Sequence, residues 1–419
     1  MPGEAPHELL QALFARAVAT ARPGPHVAAH LPPAPRGRTI VIGAGKASAE
    51  MAAAVEEARG GAVEGVVAIP DGVAAPCRRV ACVAAGHPIP DERSVAAAAR
   101  VRAAITGLSA ADQVIALVSG GGSALLCDPV PGLSLAAKRA LTQQLLDCGA
   151  TIREINCVRQ ALSRSKGGRL AAIAAPAPVH TLLVSDIPGD DPALIASGPT
   201  VASPVAAGDA AAVLARHGIA APALLASGEP LPRPDAAELD RRCRHVVLCS
   251  AMQSLRAAAA AARERGYATL ILGDALEGEA REMGIVHAGI ARAVAAWGEP
   301  LAAPAVVLSG GEATVTLDGT ASRGGPNSEF ALALARALAG HEGVHALAGD
   351  TDGVDGQGGY AGALIAPDTV QRARATGIDP DAALAAHDSA ALFEALGDGL
   401  APGPTGTNVN DFRALLVTA

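Results

Sequence analysis

Two glycine-bearing segments of this chain have residue types suited to holding an anion. The first glycine loop, Gly43-Ala44-Gly45-Lys46, follows the apolar residues 38–42 and precedes an alanine-rich stretch. The second glycine loop, Ser119-Gly120-Gly121-Gly122-Ser123, follows the apolar residues 114–118. Amide groups at a helix start attract anions, and glycine lets the backbone approach them closely. Both segments therefore predict phosphate-binding loops.

Neither a Walker A loop nor a full dinucleotide fingerprint is present in the first glycine loop. Ile40 replaces the first Walker glycine, and Ala47 replaces the Ser/Thr that would hold Mg²⁺. Ser48 stands where the third glycine of a dinucleotide loop belongs. A tight strand-to-helix turn without a ligand remains an alternative for this loop, and a flexible linker remains one for the second.

A third glycine-bearing segment, Ser309-Gly310-Gly311-Glu312, precedes the alternating residues 314–317, which are typical of a strand. A tight turn between strands explains it as well as a ligand loop does. In the ligand interpretation, Glu312 contacts a substrate.

The residues 153–169 are densely basic. At helical spacing Asn156, Arg159 and Ser163 share a face, and Lys166 precedes two glycines. The chain has only three lysines (Lys46, Lys138 and Lys166) among 33 basic residues, so a retained lysine is informative. The segment is either a clamp on phosphate or carboxylate, or a solvated helix with a glycine C-cap.

Two acidic turns follow predicted strands. One contains Asp186, Asp190 and Asp191, and the other contains Asp350 and Asp352. Clustered carboxylates hold Mg²⁺ or accept a hydroxyl proton. Ordinary turn chemistry is the alternative for each cluster.

Arg323 precedes two glycines at the start of a predicted helix over 331–339, and Asn327 lies between them and the helix. An arginine at a helix start can bind phosphate or carboxylate. The alternative is an exposed turn in which Asn327 or Ser328 is the N-cap. A zinc-binding motif, H-E-x-x-H, is matched in spacing by His341-Glu342-Gly343-Val344-His345. Gly343 disfavours the helix that the motif requires.

The elements that must position these residues alternate between buried strands and helices. Short, continuously apolar runs separated by helical stretches predict an α/β fold with parallel sheets covered on both faces. The runs are residues 38–42, 114–118, 179–184, 246–248, 269–272, 305–308 and 344–347. The Ala/Pro/Gly-rich residues 203–241 suggest a boundary between domains 1–235 and 236–419.

Composition excludes several classes of protein. The 419 residues are 50% hydrophobic and 18% charged, which argues against disorder. A net charge of −8 and a 2% aromatic content argue against nucleic-acid binding. Seven scattered cysteines without a C-x-x-C pair favour a reducing compartment. We recognise neither a membrane span nor a secretory signal, and we expect a cytoplasmic protein.

Taken in order, these motifs resemble the class II glycerate 2-kinases, the family with a C-terminal MOFRL domain. Its members often carry the name of a hydroxypyruvate reductase. The resemblance covers nearly the whole chain in the segments 43–47, 119–123, 153–168, 185–200, 309–316, 323–330, 349–356 and 405–411. The chain departs from the common family pattern at Pro326 and Ser328, which affects substrate preference more than reaction class.

The resemblance implies transfer of the ATP γ-phosphoryl group to the 2-hydroxyl of D-glycerate with Mg²⁺, in a monomer or homodimer. It implies an N-terminal Rossmann-like α/β/α domain with a mostly parallel sheet, a smaller C-terminal α/β domain and an active site in the cleft between them. Roughly the last 15 residues are expected to return to that cleft.

The site residues that we expect on this basis fall into four groups. They are the catalytic residues Lys46, Arg323, Asp186 and Asp190; the nucleotide-binding residues Gly43, Gly45, Ser119, Gly120, Gly121, Gly122, Ser123, Asn156 and Lys166; the substrate-binding residues Arg159, Asp191, Asn327 and Glu312; and the metal ligands Asp350 and Asp352.

Two other functions remain open from the sequence. An NAD(P)H-dependent hydroxypyruvate reductase needs a dinucleotide fingerprint, and the missing third glycine at Ser48 counts against it. A non-catalytic sugar-phosphate sensor would bind a ligand without turnover, although no DNA-binding motif supports a regulator.

Overall fold

The structure is a computed structural model that describes residues 5–74, 76–226, 228, 231–317, 323–339 and 341–418. Its contacts divide the chain into two compact units. The central unit is Pro23–Leu248, and the terminal unit combines Met1–Arg22 with Cys249–Ala419.

The helices and strands alternate along both units. The strands are β1 Thr39–Ala44, β2 Glu64–Ile69, β3 Val80–Ala84, β4 Gln113–Val118, β5 Val179–Val184, β6 Cys243–Cys249, β7 Ala268–Gly273, β8 Gly278–Glu279, β9 Ala305–Gly311, β10 Ala313–Thr314, β11 Val344–Asp350, β12 Gly362–Ile365, β13 Gly399–Leu400 and β14 Asp411–Val417. The helices are α1 Pro6–Ala21, α2 Gly24–His30, α3 Ser48–Ala58, α4 Glu92–Ala104, α5 Gly122–Leu125, α6 Leu135–Asp147, α7 Ile152–Ala161, α8 Arg169–Ile173, α9 Ala207–Arg216, α10 Ala223–Ala226, α11 Ala236–Arg242, α12 Ala251–Glu264, α13 Ala280–Trp297, α14 Pro326–Ala337, α15 Thr369–Ala375, α16 Pro380–Ala385 and α17 Ser389–Leu396.

The central unit is built on a sheet with the strand order β3-β2-β1-β4-β5-β6. The pairs β1–β2, β1–β4, β2–β3 and β4–β5 are all parallel. The chain order reverses between β1 and β4, and such a reversal is where open α/β sheets bind their ligands. Both glycine loops leave the sheet at this point, since they follow β1 and β4.

The terminal unit has a mixed sheet with the strand order β13-β12-β11-β14-β9-β7. Only β7–β9 is a parallel pair among its described pairings, whereas β12–β13, β11–β12, β11–β14 and β14–β9 are antiparallel. The prediction of parallel sheets is therefore wrong for this unit. Helices cover both faces of this sheet too, so its strands are apolar throughout. This sequence pattern does not distinguish parallel from antiparallel strands.

Alternate residues of the terminal sheet belong to two separate cores. Val307 of β9 and Leu415 of β14 pack with α13 and α14, whereas Leu308 and Leu416 pack on the other face. That second face is covered by α12 and by α1, through buried residues such as Leu13. Three layers, α/β/α, result.

The division by contacts differs from the sequence division at residue 235. Residues 1–22 join the terminal unit because α1 buries its apolar face on the terminal sheet, and the other boundary lies after Leu248. Glu229 and Pro230 of the predicted boundary segment lie outside the described residues. In the part of the chain that the structure describes, no helix combines the length and apolar character needed to cross a bilayer.

Candidate functional site

The two glycine loops of the central unit bind each other through their backbones. The amide of Lys46 donates to the carbonyl oxygen of Gly120 at 3.0 Å, and the amide of Ala47 donates to Ser119 Oγ at 3.0 Å. The amide of Gly45 donates to the carbonyl oxygen of Ala68 at 3.1 Å. The amides of Gly45, Lys46 and Ala47, directly before α3, are thus already bonded within the protein.

Packing accounts for the glycines of the first loop. A Cβ on Gly43 would lie 2.1 Å from the carbonyl oxygen of Leu117. One on Gly45, whose φ is +142°, would lie 2.0 Å from Ser119 Oγ. Both glycines let β1 and β4 approach each other, and their part in nucleotide binding stays a prediction.

The second glycine loop keeps amide groups available. In the described chain no protein acceptor pairs with the amides of Gly120, Gly121 or Ser123. Gly121 has a φ of +82°, a left-handed conformation that turns consecutive N–H groups outward. A Cβ at position 120 would lie 2.2 Å from Asp186 Oδ2, so any other residue there would push that carboxylate aside. This loop can therefore hold an anion through its backbone.

Lys46 and Asp186 lie at the same edge of the central sheet. Lys46 follows β1, and Asp186 follows β5 beside the second glycine loop. Burial raises the pKa of the Asp186 carboxyl, and the positive charge of Lys46 acts in the opposite direction. The structure thus brings together two of the predicted catalytic residues and the predicted phosphate loop. A carboxylate with a raised pKa is a better proton acceptor than an ordinary one.

The other two acids of that turn have local roles. Asp191 Oδ1 accepts the amide of Ala193 at 3.0 Å, which is a turn contact. Asp190 is partly buried in a left-handed conformation with φ 55°. Their predicted catalytic and substrate-binding roles stay predictions.

A pocket whose enclosed part is about 80 Å³ lies beside Ser123, within the central unit. It brings together Ser123, Arg159 and Lys166, all predicted to bind ligands, and adds Lys138 of α6. Lys166 Nζ donates to the carbonyl oxygens of Ser123 at 3.0 Å and Leu126 at 3.3 Å. Lys138 Nζ donates to the carbonyl oxygen of Leu162 at 2.9 Å.

The pocket has a strongly cationic lining. Burial lowers the pKa of Lys138 to about 8 and lowers that of Lys166 well below its ordinary value. Burial also lowers the pKa of Arg159. Among the described residues none of the three forms an ion pair. Three basic groups withdrawn from water, with no carboxylate partner among the described residues, are costly to keep charged, and a bound anion would offset that cost.

Asn156 supports the site instead of lining it. Its Nδ2 donates to the carbonyl oxygen of Leu194 at 3.1 Å, and its Oδ1 accepts Ser197 Oγ at 2.7 Å. Ser197 Oγ lies 2.7 Å from Ser123 Oγ. The chain of contacts orients Ser123, so Asn156 acts in this structure as a positioning residue, and its direct contact with nucleotide stays a prediction.

Sequence reasoning assigned no role to Lys138 or to His87. His87 lies against the second loop, 2.7 Å from where a Cβ on Gly121 would be. It follows β3, and the carboxyl end of a parallel strand is a signal that could have identified it. The scarcity of lysine was the available signal for Lys138.

In the terminal unit the start of α14 is occupied by a carboxylate of the chain itself. Asp355 accepts the amides of Asn327 at 2.9 Å and Ser328 at 2.8 Å. Burial raises the pKa of Asp355 to about 6, although these amide bonds act to lower it. The N-cap position is Gly325, so the alternative of Asn327 or Ser328 as N-cap is wrong.

Asp411 links three segments of the terminal unit. Its Oδ1 accepts Asn327 Nδ2 at 2.6 Å, and its Oδ2 accepts the amide of Ala313 at 2.9 Å and the guanidinium of Arg413. Arg413 is completely buried, with its guanidinium carbon 5.2 Å from the centre of the Phe330 ring. Asn327 is therefore held by structural contacts, and its contact with substrate stays a prediction.

Arg323 and Glu312 are surface residues of this unit. Arg323 is 59% exposed and donates to Glu394 Oε2 at 2.5 Å. Glu312 is exposed directly after β9. Both remain accessible to a ligand, and their roles stay predictions.

Asp350 and Asp352 form a pair suited to a cation. Asp350 Oδ1 accepts the amide of Asp352 at 2.8 Å. Burial, followed by the charges of Asp352 and Asp411, raises the pKa of Asp350 to about 8. Crowded carboxylate oxygens fit Mg²⁺, which takes one or two protein carboxylates and fills its other positions with water or phosphate. Across the described residues no cluster of three or more His, Cys, Asp or Glu side chains is arranged to hold a metal. His345 lies on β11 instead of a helix, so the zinc motif lacks its required geometry.

Comparison with known proteins covers almost the entire chain. Residues 9–227 match the model of a domain of unknown function, DUF4147, and residues 305–411 match the MOFRL family. A protein named "Glycerate 2-kinase" from Pyrococcus horikoshii is 36% identical, with 92% of this chain and 88% of that protein covered. The chain belongs to the MOFRL glycerate kinase family.

Two further relatives of this glycerate kinase family member agree on the fold and differ in name. A crystal structure of a Thermotoga maritima glycerate kinase matches with a TM-score of 0.89 and 35% identity, covering 98% of this chain and 99% of that one. An Agrobacterium vitis protein, 53% identical over 98% of this chain and 94% of its own, bears hydroxypyruvate reductase as a provisional name. The expected family and two-domain α/β fold with a C-terminal MOFRL domain are confirmed.

Proposed function

We propose that the protein is a glycerate 2-kinase, which transfers the γ-phosphoryl group of ATP to the 2-hydroxyl of D-glycerate and yields 2-phosphoglycerate and ADP. The observation that carries the proposal is the convergence of Lys46, Asp186 and the open amides of Gly120, Gly121 and Ser123 where the central strand order reverses. The names of the relatives from Pyrococcus horikoshii and Thermotoga maritima support it.

The central unit supplies the groups that phosphoryl transfer requires, namely positioning and charge stabilisation. The amides of Gly120, Gly121 and Ser123 hold phosphate oxygens, and the ammonium of Lys46 stabilises negative charge on the transferring group. Asp186 accepts the proton of the 2-hydroxyl as that oxygen bonds to the γ-phosphorus. The bond from the γ-phosphorus to the bridging oxygen breaks, and its electron pair leaves with ADP.

The terminal unit supplies the candidates for metal and substrate binding. Asp350 and Asp352 would hold Mg²⁺, which neutralises charge on the phosphate oxygens when bound. Arg323 has a planar guanidinium that can pair with the carboxylate of glycerate or with a phosphoryl oxygen. Glu312 and Asn327 remain candidates for contact with the glycerate hydroxyls.

The backbone of the first glycine loop argues against the reductase alternative. A dinucleotide site binds pyrophosphate through open amides at the start of the first helix. Here the amides of Lys46 and Ala47 already donate to Gly120 and Ser119. Asp71, which follows β2 where such enzymes place their ribose-binding acid, is held by Arg93 at 2.8 Å.

Phosphorus-31 NMR of the products tests the reaction directly. Purified protein with D-glycerate, ATP and Mg²⁺ is expected to produce the 2-phosphoglycerate resonance. Formation of 3-phosphoglycerate would keep the kinase and disprove the acceptor position. Oxidation of NADH or NADPH by hydroxypyruvate without ATP consumption would establish the reductase, and ligand binding with no turnover would favour the sensor.

A matched pair of variants tests the proton acceptor. Asp186→Asn is expected to lower kcat by about 10²-fold or more, the usual contribution of a general base, without lowering the melting temperature. Asp190→Asn removes a neighbouring carboxylate from the same turn and should change kcat far less. Equal losses in both variants, or a larger loss at Asp190, would contradict the assignment of Asp186.

A further inference from the structure

The pocket beside Ser123 has basic residues on its floor that form no ion pair with a carboxylate of the described residues. Lys138 is 6% exposed and Lys166 is 2% exposed, and both line the pocket with Arg159. An ammonium has three N–H donors. Lys138 uses one of them on Leu162, and Lys166 uses two on Ser123 and Leu126. Donors therefore remain for a ligand, together with the guanidinium of Arg159.

The carboxylate that acts on both lysines, Asp128, forms its ion pairs with arginines. Asp128, whose charge reaches both lysines, pairs with Arg102 at 2.7 Å and lies 4.0 Å from Arg164. Its carboxylate thus pairs with two arginines, and no carboxylate of the described residues forms an ion pair with either lysine. A ligand that carries several negative charges would offset their desolvation.

The rim of the same pocket is apolar. Ile89 is 55% exposed and Leu146 is 51% exposed, and both line it beside Pro88 and Pro90. Large aliphatic side chains that remain exposed at the rim of a polar pocket mark a surface that a ligand covers. A ligand with a flat apolar part for the rim and several negative charges for the basic floor would match this lining.

We propose that this pocket binds the nucleotide, with the polyphosphate on Lys138, Arg159 and Lys166 and the base against Ile89 and Leu146. The inference rests on the proposed kinase function and specifies where its nucleotide lies. Lys138, which the sequence did not identify, becomes a nucleotide-binding residue.

Charge favours the nucleotide over glycerate at this position. The enclosed part of the pocket is about 80 Å³, room for phosphate groups and not for a whole nucleotide, so the base lies outside it on the exposed rim. Glycerate carries a single carboxylate, whereas three cationic side chains converge here. The contact of Lys166 with the carbonyl of Ser123 also joins the pocket to the second glycine loop, where the γ-phosphoryl group is placed.

Calorimetric binding of ADP to the full-length protein tests the pocket without turnover. Lys138→Met is expected to weaken ADP binding at least tenfold, and Leu146→Asp should weaken it because the carboxylate repels the phosphates and removes the apolar contact. Arg100→Ala, which removes a cation from the exposed surface of α4 in the same unit, is the control and should bind ADP normally. Unchanged ADP binding by both pocket variants would overturn the proposal.

Steady-state kinetics separate the two substrates. In Lys138→Met the KM for ATP is expected to rise at least tenfold, while the KM for glycerate stays within twofold. A rise in the glycerate KM alone would place glycerate in the pocket and overturn the proposal. Lys138→Arg, which keeps the charge, should recover part of the affinity for ADP and guards against a loss caused by misfolding.

The proposed function and the nucleotide position fail in different ways. If the wild-type protein does not phosphorylate glycerate, the kinase proposal fails, and ADP calorimetry still decides the pocket. If the protein is a kinase whose ADP affinity is insensitive to Lys138 and Leu146, only the pocket proposal fails. If pyrophosphate binds as tightly as ADP and Leu146→Asp affects both equally, the base contact is refuted.

Discussion

Replacing Lys138 by methionine should stabilise the central unit while it weakens nucleotide binding. The ammonium of Lys138 is buried, and burial lowers its pKa from 10.5 to about 8. Methionine keeps a similar length and shape but carries no charge, so the substitution removes the desolvation cost. A residue that is unfavourable for the fold and needed for a ligand is typical of a functional site.

The magnitude follows from the pKa. One pKa unit corresponds to about 1.4 kcal/mol, so keeping Lys138 charged in the fold costs about 3 kcal/mol below pH 8. The substitution loses the hydrogen bond from Nζ to the Leu162 carbonyl, worth about 1 kcal/mol. That carbonyl still accepts the amide of Val130. A net gain of about 2 kcal/mol in the free energy of unfolding is expected at pH 7.

The pH dependence gives a second signature of the same residue. Between pH 8 and 10.5 the unfolded chain holds a proton on Lys138 and the folded chain does not, so this residue makes the wild-type protein more stable as pH rises. The advantage of Lys138→Met over wild type should therefore decline across this window and become, above pH 10.5, a disadvantage of about 1 kcal/mol from the lost hydrogen bond. The charge of Lys138 also contributes to the lowered pKa of Lys166, so Lys138→Met relieves Lys166 as well and the difference between the two proteins reports on both lysines.

Urea denaturation at pH 7, 8, 9 and 10 measures this difference. Trp297, the only tryptophan, belongs to the terminal unit, so its fluorescence does not report on the central unit. Far-UV circular dichroism should be combined with amide hydrogen exchange of peptides from α6 and α7. A Lys138→Met protein that is less stable than wild type at pH 7, or a stability difference that is independent of pH, would refute the reasoning.

Three further predictions concern the other site residues. Lys46→Ala and Arg323→Ala are each expected to reduce kcat by about 10²-fold or more with little change in melting temperature. For Arg323 the reason is that an exposed ion pair such as Arg323–Glu394 contributes at most about 1 kcal/mol to stability. A Lys46→Ala protein that is merely unfolded would contradict the assignment of Lys46. Gly120→Ala places a Cβ 2.2 Å from Asp186 Oδ2 and should displace that carboxylate, so kcat is expected to fall. Gly208→Ala, at a position of the same unit with open space around it, is the control and should leave kcat unchanged. Normal turnover in Gly120→Ala would argue against the role of Asp186. Asp350→Asn should raise the Mg²⁺ concentration for half-maximal activity roughly tenfold, and an unchanged requirement would show that Asp350 holds no metal.

The sequence alone determined the order of elements and the family. Continuously apolar runs found β1, β4, β5, β6, β7, β9 and β11, because a strand buried on both faces leaves no polar alternation to obscure it. It did not find β2, β3, β12 or β13: β2 begins with Glu64 and Gly65, whereas β3 is a continuous apolar run that was missed. Motifs contiguous in sequence, such as the second glycine loop, were readable because a strand, a turn and a helix are local structures.

Only the tertiary structure decided which of these motifs lie together and which groups remain available to a ligand. The amides of the first glycine loop look open in sequence, yet Ser119 and Gly120, more than 70 positions away, accept them. The start of α14 likewise looks like an anion site until Asp355 occupies it from a distant loop. Lys138 and Lys166 acquire their unusual pKa values from burial, which depends on neighbours that α6, α7 and the chain after β4 bring together. Hydrogen-bond partners and desolvation are properties of packing between remote segments, and local sequence does not encode them.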